Sequence, residues 1–375
     1  MIRSMSMRRM AVRFILLGTG VLGVCVGGRE PVAAQTPTFA ARLDKALADG
    51  TLPAIAGARF TAESLTDVVA VGVRKRGADP QVTPDDLWHV GSITKSFTSM
   101  LTARMVERGE LTWSTTLTAL LGASAGQYGA VTVAHLLSHR SGLPANATSA
   151  MLARPPGHST TTPETVVDVR RRLTVAALAT TPGGAPGVPF LCSNLGYTVL
   201  ASALESKTGR SWEDLLQTEI LAPLALTSAG HGAPGVVNEL TQPRGHRGGT
   251  TPLEPSFLAD NPPYMGPAGR LHMTEKDLAR WGQTHLAGER GQARLVSPAT
   301  FARLHTPVGA DNPYAMGWVR EGGPGATLIW HNGSNTYWYA IVAFIPEKNQ
   351  GVALVSNGGI EARAVMEPLV RGLLR

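Results

Sequence analysis

The sequence predicts an α/β (α+β) protein in which strands from both chain ends share one sheet and a mainly helical lobe is inserted between them. Strand-like apolar runs occupy residues 54–60 and 67–73, and others return near the C-terminus. The stretch between them is poor in strand patterns and rich in Pro/Gly loops. A strand must bury its apolar face against another element, so the two terminal groups are expected to pair. We therefore predict an α/β lobe of residues 35–110 and 262–375 and a helical lobe of residues 111–261.

Residues 1–34 have the pattern of a secretory signal peptide that precedes the fold. Four arginines come before an apolar run at 14–26, and small residues at 32–34 form a cleavage site. The run is short and glycine-rich for a membrane span. We expect an exported protein, periplasmic or secreted, whose mature chain is 35–375 and has no transmembrane span. Lipidation at Cys25 is less favoured because Val24 precedes it.

The charge of the mature chain argues against a nucleic-acid partner. The leader carries five arginines and one glutamate, so its removal lowers the net charge from +7 to +3. Cys192 would be the one remaining cysteine, which excludes an intrachain disulfide. The His, Asp and Glu residues show no metal-ligand spacing, and we expect neither metal nor cofactor. The sequence predicts no oligomeric state.

The N-terminal elements follow from apolar periodicity. Residues 38–48 read as an amphipathic helix, the two strands follow, and a turn at 76–80 leads to an apolar stretch at 87–90. A glycine then precedes a helical pattern that ends at Gly109, with apolar residues at Ile93, Phe97, Met100 and Leu101.

The remaining elements are predicted in the same way. In the inserted lobe, 195–206 and 211–221 read as helices, and Ser211 with Asp214 forms an approximate capping box. The loop-rich segment 230–261 is expected to shape or cover a cleft. Strands are predicted at 326–330, 337–345 and 352–356, with a hairpin connection at 346–351. A closing helix spans 362–374 and has a kink at Pro368.

Ser92 and Lys95 form the candidate reactive pair. They are three residues apart at the start of the predicted helix, so both lie on one face with Cβ atoms about 5–6 Å apart. A lysine whose pKa is lowered by burial can take the proton from a serine hydroxyl and make it nucleophilic. The alternative is that Ser92 only caps the helix and Lys95 points into solvent.

Six stretches in order resemble the serine hydrolases related to class C β-lactamases, D-Ala-D-Ala carboxypeptidases and esterases with a β-lactamase fold. The resemblance covers roughly residues 40–360 and implies a β-lactamase/transpeptidase-like fold with an antiparallel sheet flanked by helices. The stretches are Gly91-Ser92-Ile93-Thr94-Lys95-Ser96-Phe97, Leu136-Leu137-Ser138-His139-Arg140-Ser141-Gly142-Leu143-Pro144, Pro189-Phe190-Leu191-Cys192-Ser193-Asn194-Leu195-Gly196-Tyr197, Pro223-Leu224, Gly266-Pro267-Ala268-Gly269-Arg270 followed by Thr274-Glu275-Lys276-Asp277-Leu278, and Trp330-His331-Asn332-Gly333-Ser334.

The resemblance implies roles for several residues. Ser92 would be the nucleophile and Lys95 its lysine partner. Asn194 matches the asparagine that in the family hydrogen-bonds the lysine and the substrate. His331 and Gly333 match the motif on the strand that lines the cleft, and glycine lets a substrate lie close to that strand.

The oxyanion would be bound by two backbone N–H groups, those of Ser334 and Ser92. Simpler structural readings stay open at this stage. His331 can be an ordinary strand-end histidine, and Asn194 can cap the helix that starts near residue 195. His139 is interpreted as structural.

Cys192 is a departure, because the family has a tyrosine there that moves protons. A thiol ends several ångströms short of a phenol oxygen, so direct proton transfer to Ser92 is not expected. Three accounts are open. A water fills the space and Lys95 is the main base; another tyrosine takes over, with Tyr337, Tyr339 and Tyr264 as candidates; or the protein is slow or inactive.

The predicted function is acyl transfer through an acyl-enzyme on an ester, a β-lactam or a D-amino-acid peptide carbonyl. The substrate would be a small molecule or derived from peptidoglycan. A histidine in place of lysine at His331 removes a permanent cation for a substrate carboxylate, although Arg270 is expected nearby. This favours an esterase or D-stereospecific peptidase over a dedicated β-lactamase. The alternative is a penicillin- or cell-wall-fragment-binding protein that turns over slowly or not at all.

Overall fold

A six-stranded antiparallel sheet joins the two ends of the chain. The computed structural model describes residues 37–153, 163–322 and 326–375. Sheet order is β2-β1-β11-β10-β9-β8, so the N-terminal hairpin pairs with the last strand. The strands are β1 Ala54–Phe60, β2 Leu65–Gly72, β3 Trp88–His89, β4 Gly230–His231, β5 His246–Arg247, β6 Thr251–Pro252, β7 Leu271–Met273, β8 Val319–Glu321, β9 Leu328–Ser334, β10 Tyr339–Ile345 and β11 Gln350–Ser356.

Helices cover both faces of this sheet. The described residues form α1 Phe39–Leu47, α2 Thr94–Glu107, α3 Leu117–Leu121, α4 Val133–Leu137, α5 Ser149–Leu152, α6 Val166–Leu178, α7 Asn194–Thr208, α8 Trp212–Leu216, α9 Gly266–Gly269, α10 Glu275–Glu289, α11 Pro298–Leu304 and α12 Arg363–Leu373. Helices α1 and α12 pack on one face, where Phe39, Ile341 and Met366 share a buried cluster. Helix α10 packs across β1, β10 and β11 on the other face, which the larger core covers.

The N-terminal half of the larger core is built around α2. Its residues 94–103 are buried on every side, so the helix lies inside the protein rather than on its surface. Phe97 stacks on Trp281 of α10 with ring centroids 3.9 Å apart. The indole of Trp281 also donates to Ser96 Oγ. These contacts fix the start of α2, where Ser92 and Lys95 are found.

The stretch between β2 and β8 contains α2–α11 and short strands. Helices α6 and α7 pack together, and Arg170 of α6 bridges the buried Glu205 to Glu213. Residues 38–375 form one compact unit by their contacts. The boundaries between the two predicted lobes, at 110/111 and 261/262, stay a prediction. The predicted signal peptide lies outside the described residues.

Each element predicted from the sequence is found in the structure, with shifts at its ends, but several helices of the inserted stretch, among them the 13-residue α6, were not predicted. Strand β9 continues to Ser334, beyond the predicted end at 330. Ser211 caps α8 by accepting from the Asp214 N–H, as predicted. Helix α10 was not predicted, although Thr274 caps it and Leu278, Trp281 and Leu286 follow at helical spacing. None of the helices in the described part of the chain is both long and apolar enough to cross a bilayer.

Candidate active site

Ser92 lies in a turn that leads into α2, and the side chain of Lys95 contacts its hydroxyl. The turn Gly91–Ile93 has 3-10 geometry and is followed at once by α2. Lys95 Nζ lies 2.8 Å from Ser92 Oγ and 2.8 Å from the Ala268 carbonyl oxygen. Lys95 is 2% exposed. The alternative in which this lysine points into solvent is therefore wrong.

The environment of Lys95 favours its neutral form more than water does. Burial lowers its pKa to about 8, and an electrostatic interaction with Cys192 opposes this shift. Among the described residues, no carboxylate lies within ion-pair distance of Lys95 Nζ. At neutral pH, roughly a tenth of the lysine is therefore unprotonated and able to accept a proton.

Strand β9 approaches the Ser92 turn so closely that neither backbone tolerates a side chain there. A Cβ atom added at Gly333 would lie 2.0 Å from the Val90 carbonyl oxygen and 2.5 Å from the Ser92 nitrogen. One added at Gly91 would lie 2.3 Å from the Ser334 nitrogen, and Gly91 also has φ of +51°. The backbone nitrogens of Ser92 and Ser334 are thus brought to one place.

His331 lies in β9 beside this turn and is held in one tautomer. Its Nδ1 forms a hydrogen bond with the Asn332 carbonyl oxygen. Because a carbonyl oxygen can only accept, Nδ1 carries the proton. Its Nε2 then accepts from the Tyr314 hydroxyl at 3.3 Å. Burial and the nearby Lys95 lower the pKa of His331 to about 3. The imidazole is therefore neutral at physiological pH.

Asn194 is the first residue of α7 and faces Asn146. Its Nδ2 donates to Asn146 Oδ1 at 2.9 Å, and its backbone N–H donates to the Ala145 carbonyl. The capping side chain is Ser193, whose Oγ accepts from the Gly196 N–H. The alternative that Asn194 caps the helix is therefore wrong. The structure records no hydrogen bond between Asn194 and Lys95 among the described residues.

Cys192 is exposed and lies beside the buried ring of His139. Its sulfur is 4.0 Å from His139 Nε2. His139 Nδ1 accepts from the Ser193 N–H, so the ring proton is on Nε2 and points toward the sulfur. Burial, followed by Lys95 and His331, lowers the pKa of His139 well below its usual value. Neutral His139 thus supports the loop that carries Cys192.

Of the three tyrosines named as replacements for Cys192, Tyr339 faces the opposite side of the sheet, and the other two, Tyr337 and Tyr264, stay predictions. Tyr339 is on the α12 side of the sheet, where its hydroxyl donates to Glu367 and accepts from Asn332. Tyr337 is paired with Arg247, whose guanidinium is 6.0 Å from the ring centroid. Tyr264 is buried in the larger core. The Tyr339 candidate is wrong, because residues 332 and 339 face away from the Ser92 side.

Two other tyrosines line the site and were not predicted. Lys95 Nζ lies 5.7 Å from the ring centroid of Tyr197, whose hydroxyl donates to the Leu137 carbonyl. Tyr314 packs on His139 at 4.7 Å and donates to His331. Burial raises the pKa of both phenols. At Gly317 an added Cβ would lie 2.8 Å from Ser96 Cα, so the Tyr314 segment packs closely against α2, a contact that no sequence pattern indicated.

Arg270 is near the site but already paired. Its Nε donates to Asp260 Oδ2 at 2.6 Å and to the Asn261 carbonyl. Asp260 also contacts His89 Nε2 at 2.9 Å. No group of three His, Cys, Asp or Glu side chains among the described residues is arranged to hold a metal ion. Within the part of the chain that the structure describes, Lys95 is the cation in contact with Ser92 Oγ.

Comparison with known proteins extends this picture. The sequence model of the family described as Beta-lactamase matches residues 28–374. The chain is 28% identical to penicillin-binding protein 4 of Amycolatopsis lactamdurans, over 89% of this chain and 88% of that protein. It is 25% identical to the D-alanyl-D-alanine-carboxypeptidase/endopeptidase AmpH of Escherichia coli K12, over 76% of this chain and 74% of that protein.

Solved structures confirm the predicted fold class. D-alanine carboxypeptidase AmpC from Burkholderia cenocepacia aligns with a TM-score of 0.69 at 19% identity, over 89% of this chain and 97% of that one. The class C β-lactamase from Rhodobacter sphaeroides aligns with a TM-score of 0.68 at 19% identity, over 90% and 99%. At these identities the likeness concerns the fold.

Proposed function

From the premise that this chain belongs to the Beta-lactamase family, we propose that Ser92 is a nucleophile that forms an acyl-enzyme. The family match confirms the predicted resemblance and the predicted class, a serine hydrolase. The observation that carries the proposal is the 2.8 Å contact between Lys95 Nζ and Ser92 Oγ in a buried site. We further propose that the protein is exported, periplasmic or secreted, on the basis of its N-terminal sequence.

In the proposed reaction, neutral Lys95 takes the proton of Ser92 as the hydroxyl oxygen attacks the substrate carbonyl carbon. The resulting ammonium then returns that proton to the departing oxygen or nitrogen as the carbonyl re-forms. A water molecule attacks the acyl-enzyme in the second half, and Ser92 regains its proton when the acid leaves. Lys95 therefore exchanges one proton in each half-reaction, and no net proton is stored.

The negative charge that develops on the substrate oxygen would be stabilised by two backbone N–H groups. The nitrogens of Ser92 and Ser334 are neighbours across the Gly91–Gly333 contact, which supports this role. Loss of one such donor costs about 2.7–4 kcal/mol in the transition state of other serine hydrolases. Because the donors are main-chain groups, their placement depends on the two glycines rather than on side chains.

The charges around the site favour a neutral ester or D-amino-acid amide over a carboxylate-bearing β-lactam. His331 is neutral, and Arg270 is paired with Asp260. A substrate carboxylate would therefore meet no unpaired cation on β9. The relatives support hydrolysis in general, since one is named a carboxypeptidase/endopeptidase and another, from Aspergillus campestris, an unguisins hydrolase at 26% identity over 74% of this chain and 53% of that protein.

Cys192 supports a second candidate, a protein that binds penicillin or cell-wall fragments and turns over slowly. The buried phenols of Tyr197 and Tyr314 have their hydrogens committed to other acceptors. Proton transfer to the leaving group then depends on Lys95, with or without a water. If deacylation is slow for this reason, the acyl-enzyme accumulates.

The deciding experiment is intact-mass spectrometry after treatment with a fluorophosphonate probe. The wild-type protein should gain one adduct, while Ser92→Ala should gain none and keep its circular dichroism spectrum. Labelling of the alanine variant to the same extent would overturn the proposal. The Ser92→Thr variant provides a hydroxyl-retaining comparison.

Substrate preference is measured on nitrophenyl acyl esters, nitrocefin and a D-Ala-D-Ala peptide. We expect the ester to be hydrolysed with the highest kcat/KM. A marked preference for nitrocefin would contradict the charge argument. Stoichiometric labelling by fluorescent penicillin without product release would favour the second candidate, and Cys192→Tyr should then increase turnover.

A further inference from the structure

The turn Phe257–Ala259 presents the most exposed pair of large apolar side chains among the described residues. Phe257 is 81% exposed and Leu258 is 67% exposed. The other adjacent pair, Val236 and Val237, is 53% and 48% exposed. Contiguous exposed apolar surface is characteristic of sites that bind another molecule. The position of this pair indicates what it binds.

The turn is fastened to both parts of the Ser92 site. The Ala259 carbonyl accepts from Asn335 Nδ2 at 3.0 Å, one residue beyond Ser334. Asp260 is buried against His89, two residues before Gly91. Asn261 Nδ2 donates to the Gly269 carbonyl at 2.7 Å, and an added Cβ at Gly269 would lie 3.6 Å from the Gly91 carbonyl carbon. The turn that carries the two exposed side chains is therefore anchored beside the Ser334 end of the site.

The position of the group that protonates the leaving group distinguishes the two sides of the scissile bond. The leaving group must receive a proton, so it lies toward Lys95 and the Cys192 loop. The acyl group then extends the other way, past Ser334 toward the turn. We propose, on the basis of the proposed function, that Phe257 and Leu258 bind the hydrocarbon part of the acyl group and select substrates with medium-length or branched apolar acyl chains.

The anchoring and the exposure make this pair suited to that role. Asp260 pairs with Arg270 and His89, so the backbone that carries the turn is held by buried polar contacts. The side chains of Phe257 and Leu258 take no part in those polar contacts, and most of their surface is open to solvent. Each methylene that a substrate buries against them should raise kcat/KM by up to about fourfold.

The test compares nitrophenyl acetate, butyrate and octanoate on wild type and on the double variant Phe257→Ser/Leu258→Ser. In the wild type, the octanoate-to-acetate ratio of kcat/KM should be about tenfold to a hundredfold. The double variant should lose most of that ratio. Val175→Ser is the matched control, since Val175 is 59% exposed on α6, and it should keep the wild-type ratio.

A second series keeps the acyl group as acetyl and lengthens the alcohol. We expect the double variant to change this series little. A loss confined to the alcohol series would overturn the acyl placement, and an unchanged acyl series would overturn the proposal. If the protein acylates without turnover, the rate of acylation measured by mass spectrometry replaces kcat/KM. Absence of any labelling at Ser92 would instead reject the proposed function itself.

Discussion

Two buried cations, Lys95 and Arg170, have opposite surroundings. Arg170 lies at the junction of α6, α7 and α8, where Glu205 and Glu213 both accept from its guanidinium. Burial alone would lower the pKa of Arg170, but these hydrogen bonds and charges outweigh it and raise the pKa. Lys95 is equally buried and has a hydroxyl and a carbonyl as partners.

The surroundings of a buried cation therefore decide whether it stabilises the fold or can exchange a proton. A buried cation with two carboxylates keeps its charge at every accessible pH, so it can only hold elements together. A buried amine without a counter-charge titrates near neutrality and can exchange a proton. The predictions that follow test this contrast, beginning with the largest effect.

Replacing Lys95 by methionine should abolish most of the reactivity of Ser92. Removal of the base lowers the rate of fluorophosphonate labelling by about 10²–10⁴-fold. The thermal midpoint should stay equal or rise, because a buried amine without a counter-charge is removed. Lys276→Met is the control, since that lysine is paired with the exposed Asp85. Full labelling of Lys95→Met would mean that another group activates the serine.

Replacing Arg170 by methionine should lower the stability of the protein and leave the reactivity of Ser92 unchanged. Two carboxylates are left without their partner, one of them fully buried, and the free energy of unfolding should fall by about 3–5 kcal/mol. Labelling of the protein that stays folded should be unchanged. Arg171→Met is the matched control, because Arg171 is its neighbour on α6 and forms an exposed pair with Asp168. Urea unfolding measures both, and equal midpoints for the two variants would contradict the prediction.

Glu275 shows the same effect of burial without a counter-charge on a carboxyl group. It is fully buried at the start of α10, the nearby Trp88 indole N–H does not reach hydrogen-bond distance of its carboxyl oxygens, and burial raises its pKa to about 8. Since the folded pKa lies above the unfolded value, the stability that the neutral carboxyl supports is complete below about pH 4.3 and is lost as pH rises to 8.

Glu275→Gln should remove this loss. The difference in unfolding free energy between variant and wild type should shift in favour of the variant by roughly 4 kcal/mol between pH 5 and pH 9. Thermal or urea unfolding across this range provides the measurement. A difference that is the same at every pH would show that the carboxyl is ionised throughout.

The smallest expected effect concerns Cys192. The rate of Ser92 acylation should rise with pH around a midpoint near 8, because Lys95 must be neutral to act as a base. Cys192→Ser removes the interaction that raises the pKa of Lys95, so the midpoint should move down by less than about one pH unit. A midpoint that moves up or does not move would show that the Cys192 thiol does not raise the pKa of Lys95.

Local spacing predicted the central pair of the site correctly in geometric terms. Ser92 lies in the 3-10 turn that enters α2 and Lys95 lies in the first turn of α2, so three residues of helical backbone bring both side chains to one face. The order of six motifs predicted the fold, since each motif fits one place in it. The predicted strand ends were less accurate than the predicted motifs. Strand β9, for example, continues beyond its apolar run because it pairs with β10 there.

The partners of the predicted residues could not be read from the sequence. Tyr314 and His331 are 17 positions apart, and Cys192 and His139 are 53 apart. Their contacts depend on how loops cross in three dimensions, which no local periodicity encodes. The pairing of Arg270 with Asp260 has the same origin, and it changes the expected charge of the cleft.

The frame around Ser92 is assembled from segments that are distant along the chain. Ala268 holds the lysine, Gly317 rests on α2, and Gly333 rests on the serine turn. A nascent or truncated polypeptide that lacks the last of these segments cannot bring the groups together. The serine would therefore acquire its reactivity late in biogenesis, and probe labelling would report the fraction of molecules that have matured completely.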